Sequence, residues 1–167
     1  MKSFNEIKIK DFNIDPFELK MGWVLVTAEK DGKVNTMTAS WGGFGVMWDK
    51  DVAFVVVRPD RYTKEFIDAS ELFSLTFFSS VYKKQLGYLG RISGRYENKI
   101  EEAELTVLFE DKIPYFKEAE KVLIVKKLYK QSLEENCFID KSIIEKWYPE
   151  GDCHILYIAE ITKILVK

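Results

Sequence analysis

The residues best suited to chemistry lie in the run from Val34 to Trp48, where fifteen consecutive positions carry no charge. Charge is common elsewhere, since 31% of all residues are Asp, Glu, Lys or Arg. The run combines short hydroxyl side chains and an amide with three glycines and two tryptophans. A core strand would hold branched aliphatic residues, and a solvated loop would hold charges. The mixture is typical of a segment that lies against a flat, neutral, hydrogen-bonding ligand.

The predicted ring-binding residues within this run are Asn35, Thr36, Met37, Thr38, Ala39, Ser40 and Trp41. In a strand that ends in a loop, alternate side chains face a ligand and the backbone groups of the others stay available. The amide and hydroxyl groups offer donors and acceptors for the edge of a heteroaromatic ring. Met37 and Trp41 offer apolar, polarisable contact. A polar strand end with a core tryptophan is the alternative that the residue types leave open.

A second group of candidates, Arg58-Pro59-Asp60-Arg61-Tyr62-Thr63, suits an anion. The pattern predicts a helix with Asp60 as its N-cap, so that free backbone N–H groups of the first turn point outward. The proline forces Arg58 into an extended conformation, which aims its side chain away from the helix. Arg58, Arg61 and the Thr63 hydroxyl can then converge on one phosphate, whose oxygens match the planar guanidinium group. Two solvated arginines at an ordinary helix start are the alternative.

A ligand with a flat ring and a phosphate tail is a nucleotide-like cofactor. The glycines of Gly42-Gly43-Phe44-Gly45 do not form a dinucleotide-binding loop, because the GxGxxG spacing is absent and no helix is predicted after them. We expect a tight turn there, where backbone passes close to a ligand or partner. In the polar segment from Ser93 to Lys99, Arg95 or Lys99 could reach an anionic ligand edge, and a solvated loop fits equally well.

Composition limits the function classes. Lys and Arg number 25 against 27 Asp and Glu, and no basic block favours nucleic acid. Two cysteines and one histidine, His154, make a His/Cys metal site or a catalytic triad a poor interpretation, so we predict no metal ligand and no catalytic side chain. The polar N-terminus is no signal peptide, and no apolar run approaches the ~20 residues of a membrane helix, so we expect a cytoplasmic protein.

Seven segments predict strands because they are rich in β-branched and aromatic residues. They are Gly22–Glu29, Val34–Ser40, Asp51–Val57, Leu72–Phe78, Leu105–Glu110, Lys121–Leu128 and His154–Ile164. Asp31-Gly32 predicts a hairpin between the first two. Helical spacing predicts helices over Asp60–Ala69, Ser80–Leu89 and Asp140–Trp147.

Many strands with few helices favour an antiparallel barrel with helical insertions over a parallel α/β fold. The whole chain, residues 1–167, is predicted to form one domain, because no linker or repeat interrupts it. The strands are apolar almost throughout. Their outer faces must therefore meet helices or a second subunit, and we predict a homodimer.

Taken in order, these segments resemble the flavin reductase-like family of FMN-binding split barrels, the flavoredoxin branch in particular. The matching pieces are Asn35-Thr36-Met37-Thr38-Ala39-Ser40-Trp41-Gly42-Gly43, then Arg58-Pro59-Asp60-Arg61-Tyr62-Thr63, then Ser93-Gly94-Arg95 with Lys99. The likeness runs from about Gly22 to Lys163. It implies a six-stranded antiparallel Greek-key barrel with added helices, working as a homodimer that binds FMN without a covalent bond near the dimer interface.

The resemblance also implies residue roles. Asn35 to Trp41 would line the flavin, and Arg58, Arg61, Tyr62 and Thr63 would hold its phosphate end. Lys99 would point toward the flavin. The family often reads Ser-Gly-Arg-Asp-x-Asp-Lys-Phe, whereas Tyr96, Asn98 and Ile100 stand here in place of the two acids and the phenylalanine. That departure weakens the transfer of a role to Lys99.

The expected function is that of an FMN-dependent oxidoreductase that passes electrons from NAD(P)H or a protein donor to a small-molecule or protein acceptor. Because the cofactor carries this chemistry, it explains why no acid/base pair or nucleophile stands out. Three alternatives stay open: a non-enzymatic FMN-binding electron carrier or store, a structural barrel that binds nothing, and a pyridoxal-phosphate oxidase-like activity on the same barrel.

Overall fold

The computed structural model describes residues 3–15 and 17–167. Their strands are β1 (Asn5–Ile7), β2 (Val24–Lys30), β3 (Lys33–Ala39), β4 (Gly42–Met47), β5 (Lys50–Val57), β6 (Leu72–Phe77), β7 (Val107–Glu110), β8 (Ile113–Phe116), β9 (Lys121–Ser132) and β10 (Ile155–Val166). Their α-helices are α1 (Glu18–Gly22), α2 (Tyr62–Ala69), α3 (Lys83–Arg91), α4 (Lys99–Glu102) and α5 (Ser142–Trp147). Short 3₁₀ turns lie at Ile9–Asp11, Ser80–Tyr82 and Glu135–Cys137. None of the helices in the described ranges has the length and apolar character to cross a membrane.

Eight strands form one antiparallel sheet, ordered β3-β2-β6-β9-β10-β5-β4, with β1 paired to the end of β10. Six of them send alternate side chains into a single core cluster. Representative members are Val26, Met37, Val55, Leu75, Val125 and Tyr157, one from each strand. One core filled from all six strands means that the sheet is rolled into a barrel. The predicted mainly β, antiparallel barrel is therefore confirmed, and β1 and β4 extend it.

The outer faces of the strands are covered by two further clusters. Leu25 of β2 packs with Leu86 and Leu89 of α3. On β9, Val122 and Ile124 pack beneath the separate hairpin of β7 and β8. These contacts explain why the strands are apolar on both faces, because helices and a hairpin cover what a solvated barrel would expose.

Local sequence signals account for most of the elements. All seven predicted strands and all three predicted helices are present, with ends shifted by up to four residues. Asp31 and Gly32 have φ values of 52° and 76° and join β2 to β3, as the hairpin prediction requires. Strands β1, β4 and β8 were not predicted.

The predicted glycine turn after Trp41 is wrong, because Gly42 opens strand β4 and pairs with Val55 of β5. Gly42 has a φ of 149°, and a Cβ atom added there would lie 2.1 Å from the carbonyl oxygen of Phe54. The absence of a side chain thus serves close pairing with β5.

The predicted N-cap at Asp60 is also wrong. Helix α2 begins at Tyr62 with Arg61 as its N-cap and no side-chain capping bond. Residues 58–61 close a turn in which the Arg61 N–H donates to the Arg58 carbonyl over 3.2 Å, so Asp60 lies on the exposed turn before the helix. The turn, rather than a capping carboxylate, sets the direction of both arginines.

Gly42→Ala is expected to lower the free energy of unfolding by roughly 2 kcal/mol or more, because the added methyl group meets backbone that cannot move aside and φ lies where L-residues are strained. Gly43→Ala is the matched control, since its Cβ would meet nothing within 4 Å. Urea denaturation of both variants measures the difference. Equal unfolding midpoints would contradict the account of β4.

Candidate functional site

The two predicted ligand-binding segments meet at one cavity of about 380 Å³. We call it the Trp41 cavity; its lining residues are Met37, Thr38, Ala39, Ser40, Trp41, Val56, Arg58, Arg61, Trp147 and His154. It lies where the end of β3, the end of β5 and the start of α2 come together. Its volume falls in the range of roughly 300–1,000 Å³ that is usual for small-molecule sites.

A second cavity, of about 530 Å³, lies beside the first, toward the start of β3. We call it the loop cavity; its lining residues are Lys33, Val34, Asn35, Tyr62, Phe66 and residues 94–100. Three predicted site residues, Asn35, Tyr62 and Lys99, line this cavity instead of the Trp41 cavity. The predicted site is therefore divided between two adjoining spaces.

Thr36 and Thr63 line neither cavity, because both are buried between elements. The Thr36 hydroxyl donates to the Val26 carbonyl over 3.1 Å and lies 2.8 Å from the Thr27 hydroxyl. The Thr63 hydroxyl accepts a hydrogen bond from Asn35 Nδ2 at 3.0 Å, which ties α2 to β3. The predicted convergence of Thr63 with the two arginines on one phosphate is thus wrong for its side chain.

The two arginines reach the Trp41 cavity with different partners. Arg58 forms an ion pair with Asp152, and its Nη2 donates to the Trp147 carbonyl over 2.9 Å. Arg61 donates from Nη1 to the Gly90 carbonyl over 2.7 Å. Both side chains are partly buried, so their charges act in a medium that screens less than bulk water. Sequence reasoning missed Asp152, since a single acid in a loop carries no recognisable signal.

Part of the cavity wall is aromatic. The Trp41 ring lies 5.0 Å from the His154 ring and 4.9 Å from the Trp147 ring, centroid to centroid. His154 Nδ1 is hydrogen-bonded to the Tyr148 hydroxyl at 2.9 Å. Burial, with the nearby positive charge of Arg58, lowers the pKa of His154 to about 4. The imidazole is therefore neutral near pH 7, and this wall suits an uncharged ring.

Neither His154 nor Trp147 is among the site residues that the sequence predicts. The structure places both on the cavity wall.

In the part of the chain that the structure describes, no group of three or more His, Cys, Asp or Glu side chains is arranged to hold a metal ion.

The last two turns of α3, together with its C-cap Ile92, connect the site segments. Thr38 donates to the Leu86 carbonyl at 2.5 Å, and Arg61 donates to the next turn at Gly90. Lys99, only 4% exposed, donates from Nζ to the carbonyls of Leu89 (2.9 Å) and Ile92 (2.8 Å). Cations are favourable at this end of a helix because its carbonyl groups are free and the dipole is negative there.

The surroundings of Lys99 disfavour the protonated, positively charged form of its side chain. Burial, and then the positive charge of Arg61, lower the pKa of Lys99 to about 8. Its two carbonyl partners hold the amino group toward α3, in the wall of the loop cavity. The part that the resemblance implied for Lys99, pointing toward a flavin, stays a prediction.

Comparison with known proteins identifies the family. Residues 18–167 match the family described as "Flavin reductase like domain", and the chain belongs to that family. No curated protein matches the chain.

Solved structures of the same fold are similar to this chain at low identity. An FMN-binding domain of a flavin reductases-like enzyme from Shewanella baltica OS155 has a TM-score of 0.72 at 18% identity, covering 98% of this chain and 77% of that one. Flavoredoxin from Methanosarcina acetivorans has a TM-score of 0.71 at 23% identity, covering 98% and 76%. Flavoredoxin of Desulfovibrio vulgaris (Miyazaki F) has a TM-score of 0.68 at 21% identity, covering 100% and 77%. At these identities the likeness establishes the split-barrel fold.

Lys99→Met is expected to flatten the pH dependence of stability between pH 8 and 10.5, the folded and ordinary pKa values of Lys99. Below this window both states hold the proton, and the cost of burying the charge is fully present. Within it the unfolded chain binds more protons, so the Lys99 contribution makes wild-type stability rise with pH, by about 1.4 kcal/mol per pH unit at most.

Urea denaturation across that window measures the difference between the wild type and the variant. Lys84→Met, which changes an exposed lysine of α3, is the control, and its stability should follow that of the wild type across the window. Equal slopes of unfolding free energy against pH in the wild type and in Lys99→Met would contradict the claim that Lys99 carries a buried charge.

Proposed function

We propose that the chain binds FMN in the Trp41 cavity. The observation that carries this proposal is that the neutral stretch of β3 and both arginines line one cavity. The proposal assigns the flat ring to the side of Trp41 and the phosphate to Arg58 and Arg61. Membership of the flavin reductase-like family supports it, as do structural neighbours that are named as FMN-binding proteins.

The donor set fits such a ligand. Two guanidinium groups match a phosphate, and each charge-assisted hydrogen bond contributes roughly 1.5–3 kcal/mol. The neutral imidazole of His154 leaves the aromatic wall uncharged. The strand end from Met37 to Trp41 offers backbone and hydroxyl groups to a ring edge.

The remaining predicted residues do not line the Trp41 cavity, and the proposal gives them other roles. Asn35, Tyr62 and Lys99 belong to the adjoining loop cavity and serve any part of the ligand that extends there. Thr36 and Thr63 act indirectly, since their buried hydroxyl groups fix β3 against β2 and α2.

We propose that the protein is an oxidoreductase of the flavin reductase type. FMN, when bound, supplies the hydride and electron chemistry, and the protein supplies binding, orientation and electrostatics. Electrons would come from NAD(P)H and pass to a free flavin, a metal complex or an acceptor protein. The second candidate is a non-enzymatic electron carrier with the same binding residues; structural neighbours that are named flavoredoxin are the reason to consider it.

We further propose that residues 1–167 act as one domain in a cytoplasmic homodimer. Support for a dimer comes from apolar side chains on the β4–β5 hairpin, where Val46 is 71% and Trp48 56% exposed. The Trp48 ring lies 6.2 Å from the ring of Tyr129, which is 41% exposed, so these two side chains share an exposed apolar surface.

Arg61→Ala is expected to weaken FMN binding by roughly 10- to 100-fold, the equivalent of one lost charge-assisted contact. Arg61 is the cleaner single change, because its partner in the structure is a neutral carbonyl. The double variant Arg58→Ala, Arg61→Ala should lose the flavin absorption bands of the purified protein. Arg91→Ala, an exposed arginine of α3, is the control. Titration by flavin fluorescence measures all three, and unchanged affinity in the double variant would refute the phosphate assignment.

Steady-state oxidation of NADH and NADPH in the presence of added FMN separates the enzyme from the carrier. The proposal predicts turnover that saturates with the flavin and falls in Arg61→Ala. Retained FMN binding without turnover with either nucleotide would support the electron carrier instead.

A further inference from the structure

Arg58 is held by the chain segment of residues 147–152. Its guanidinium is paired with the Asp152 carboxylate, donates to the Trp147 carbonyl over 2.9 Å and lies 5.5 Å from the centre of the Tyr148 ring. The Arg58 and Asp152 side chains are only 27% and 37% exposed. The ion pair is therefore partly shielded from water, and its charges interact more strongly than a surface pair would.

The pair changes the charge that the Trp41 cavity offers to an anion. Among the described residues that line it, Arg58 and Arg61 are the ionised ones, since His154 is neutral near pH 7. Asp152 offsets Arg58, whereas Arg61 forms no ion pair within the described ranges. The cavity thus presents about one net positive charge, while a phosphate monoester carries roughly 1.5–2 negative charges at pH 7.

The ion pair is not a fully satisfied structural contact. The second carboxylate oxygen of Asp152, Oδ1, is buried and has no hydrogen-bond partner in the described part of the chain. A desolvated, unpaired carboxylate oxygen is costly. The Arg58 pair therefore satisfies the Asp152 carboxylate only in part, which leaves Arg58 open to competition from another anion.

We propose that Asp152 determines how strongly the cavity distinguishes phosphorylated from unphosphorylated flavins, by competing with the ligand phosphate for Arg58. Asp152 is a positioning residue, because it acts on the ligand through the arginine. This inference rests on the proposed FMN site and extends it. A phosphate that must share Arg58 with a carboxylate is held less tightly, so FMN exchanges with solution as a substrate-like flavin.

Asp152→Asn removes the charge and nearly conserves the volume. We expect it to tighten FMN binding by about tenfold, the equivalent of one modest charge-assisted contact, and to change riboflavin binding by less than about twofold. The ratio of the two dissociation constants, measured on the full chain by flavin fluorescence titration, is the readout. FMN affinity should also fall more steeply with salt in the variant than in the wild type.

Two further variants separate charge from structure. Asp152→Glu keeps the charge and should keep the wild-type FMN-to-riboflavin ratio. In an Arg58→Ala background, Asp152→Asn should move the ratio by less than about twofold, since the competing pair no longer exists.

An unchanged ratio, an equal shift for both flavins, or weaker FMN binding in Asp152→Asn would each overturn the inference while leaving the FMN site standing. An equal effect of Asp152→Asn with and without Arg58 would also overturn it. Failure of the wild type to bind either flavin would refute the proposed function and this inference together.

Discussion

The geometry of the site depends on backbone carbonyl groups between Leu86 and Ile92, in the last two turns of α3 and at its C-cap. They accept hydrogen bonds from Thr38 of β3, from Arg61 at the start of α2 and from Lys99 of α4. Three segments that are distant in sequence are thereby fixed relative to one another. The negative end of the helix dipole holds two cations close together. Burial of Lys99, and then its closeness to Arg61, lower the pKa of Lys99.

The Trp41 cavity combines two environments that a barrel interior alone could not supply. Its aromatic wall is uncharged, because the imidazole of His154 is buried and neutral. Its wall also carries two guanidinium groups, of which Arg61 is bonded to a carbonyl and Arg58 to a carbonyl and a carboxylate. In the proposed binding mode, dispersion would therefore act on the ring and charge on the phosphate. The pairing of Arg58 with Asp152 makes the two arginines unequal.

Local sequence signals predicted the barrel strands because β-branched composition and the Asp31-Gly32 turn act over a few residues. They also found the β3 segment and the arginines, since unusual composition is visible without tertiary context. The turn predicted at Gly42 is wrong, because the reason for a glycine in this strand is the close approach of the Phe54 backbone on the neighbouring strand, which the sequence does not show. The burial of Thr63 and the pairing of Arg58 with Asp152 depend on packing across 28 and 94 residues of chain. Periodicity over a short window cannot show contacts of that range.

The central claim is that the neutral end of β3 and the two arginines hold opposite ends of one flavin. A crystal structure of the protein with FMN tests it most directly. The account predicts the flavin ring against Trp41 and the phosphate within hydrogen-bonding distance of Arg61. A flavin bound at another surface, with the Trp41 cavity filled by water, would contradict it.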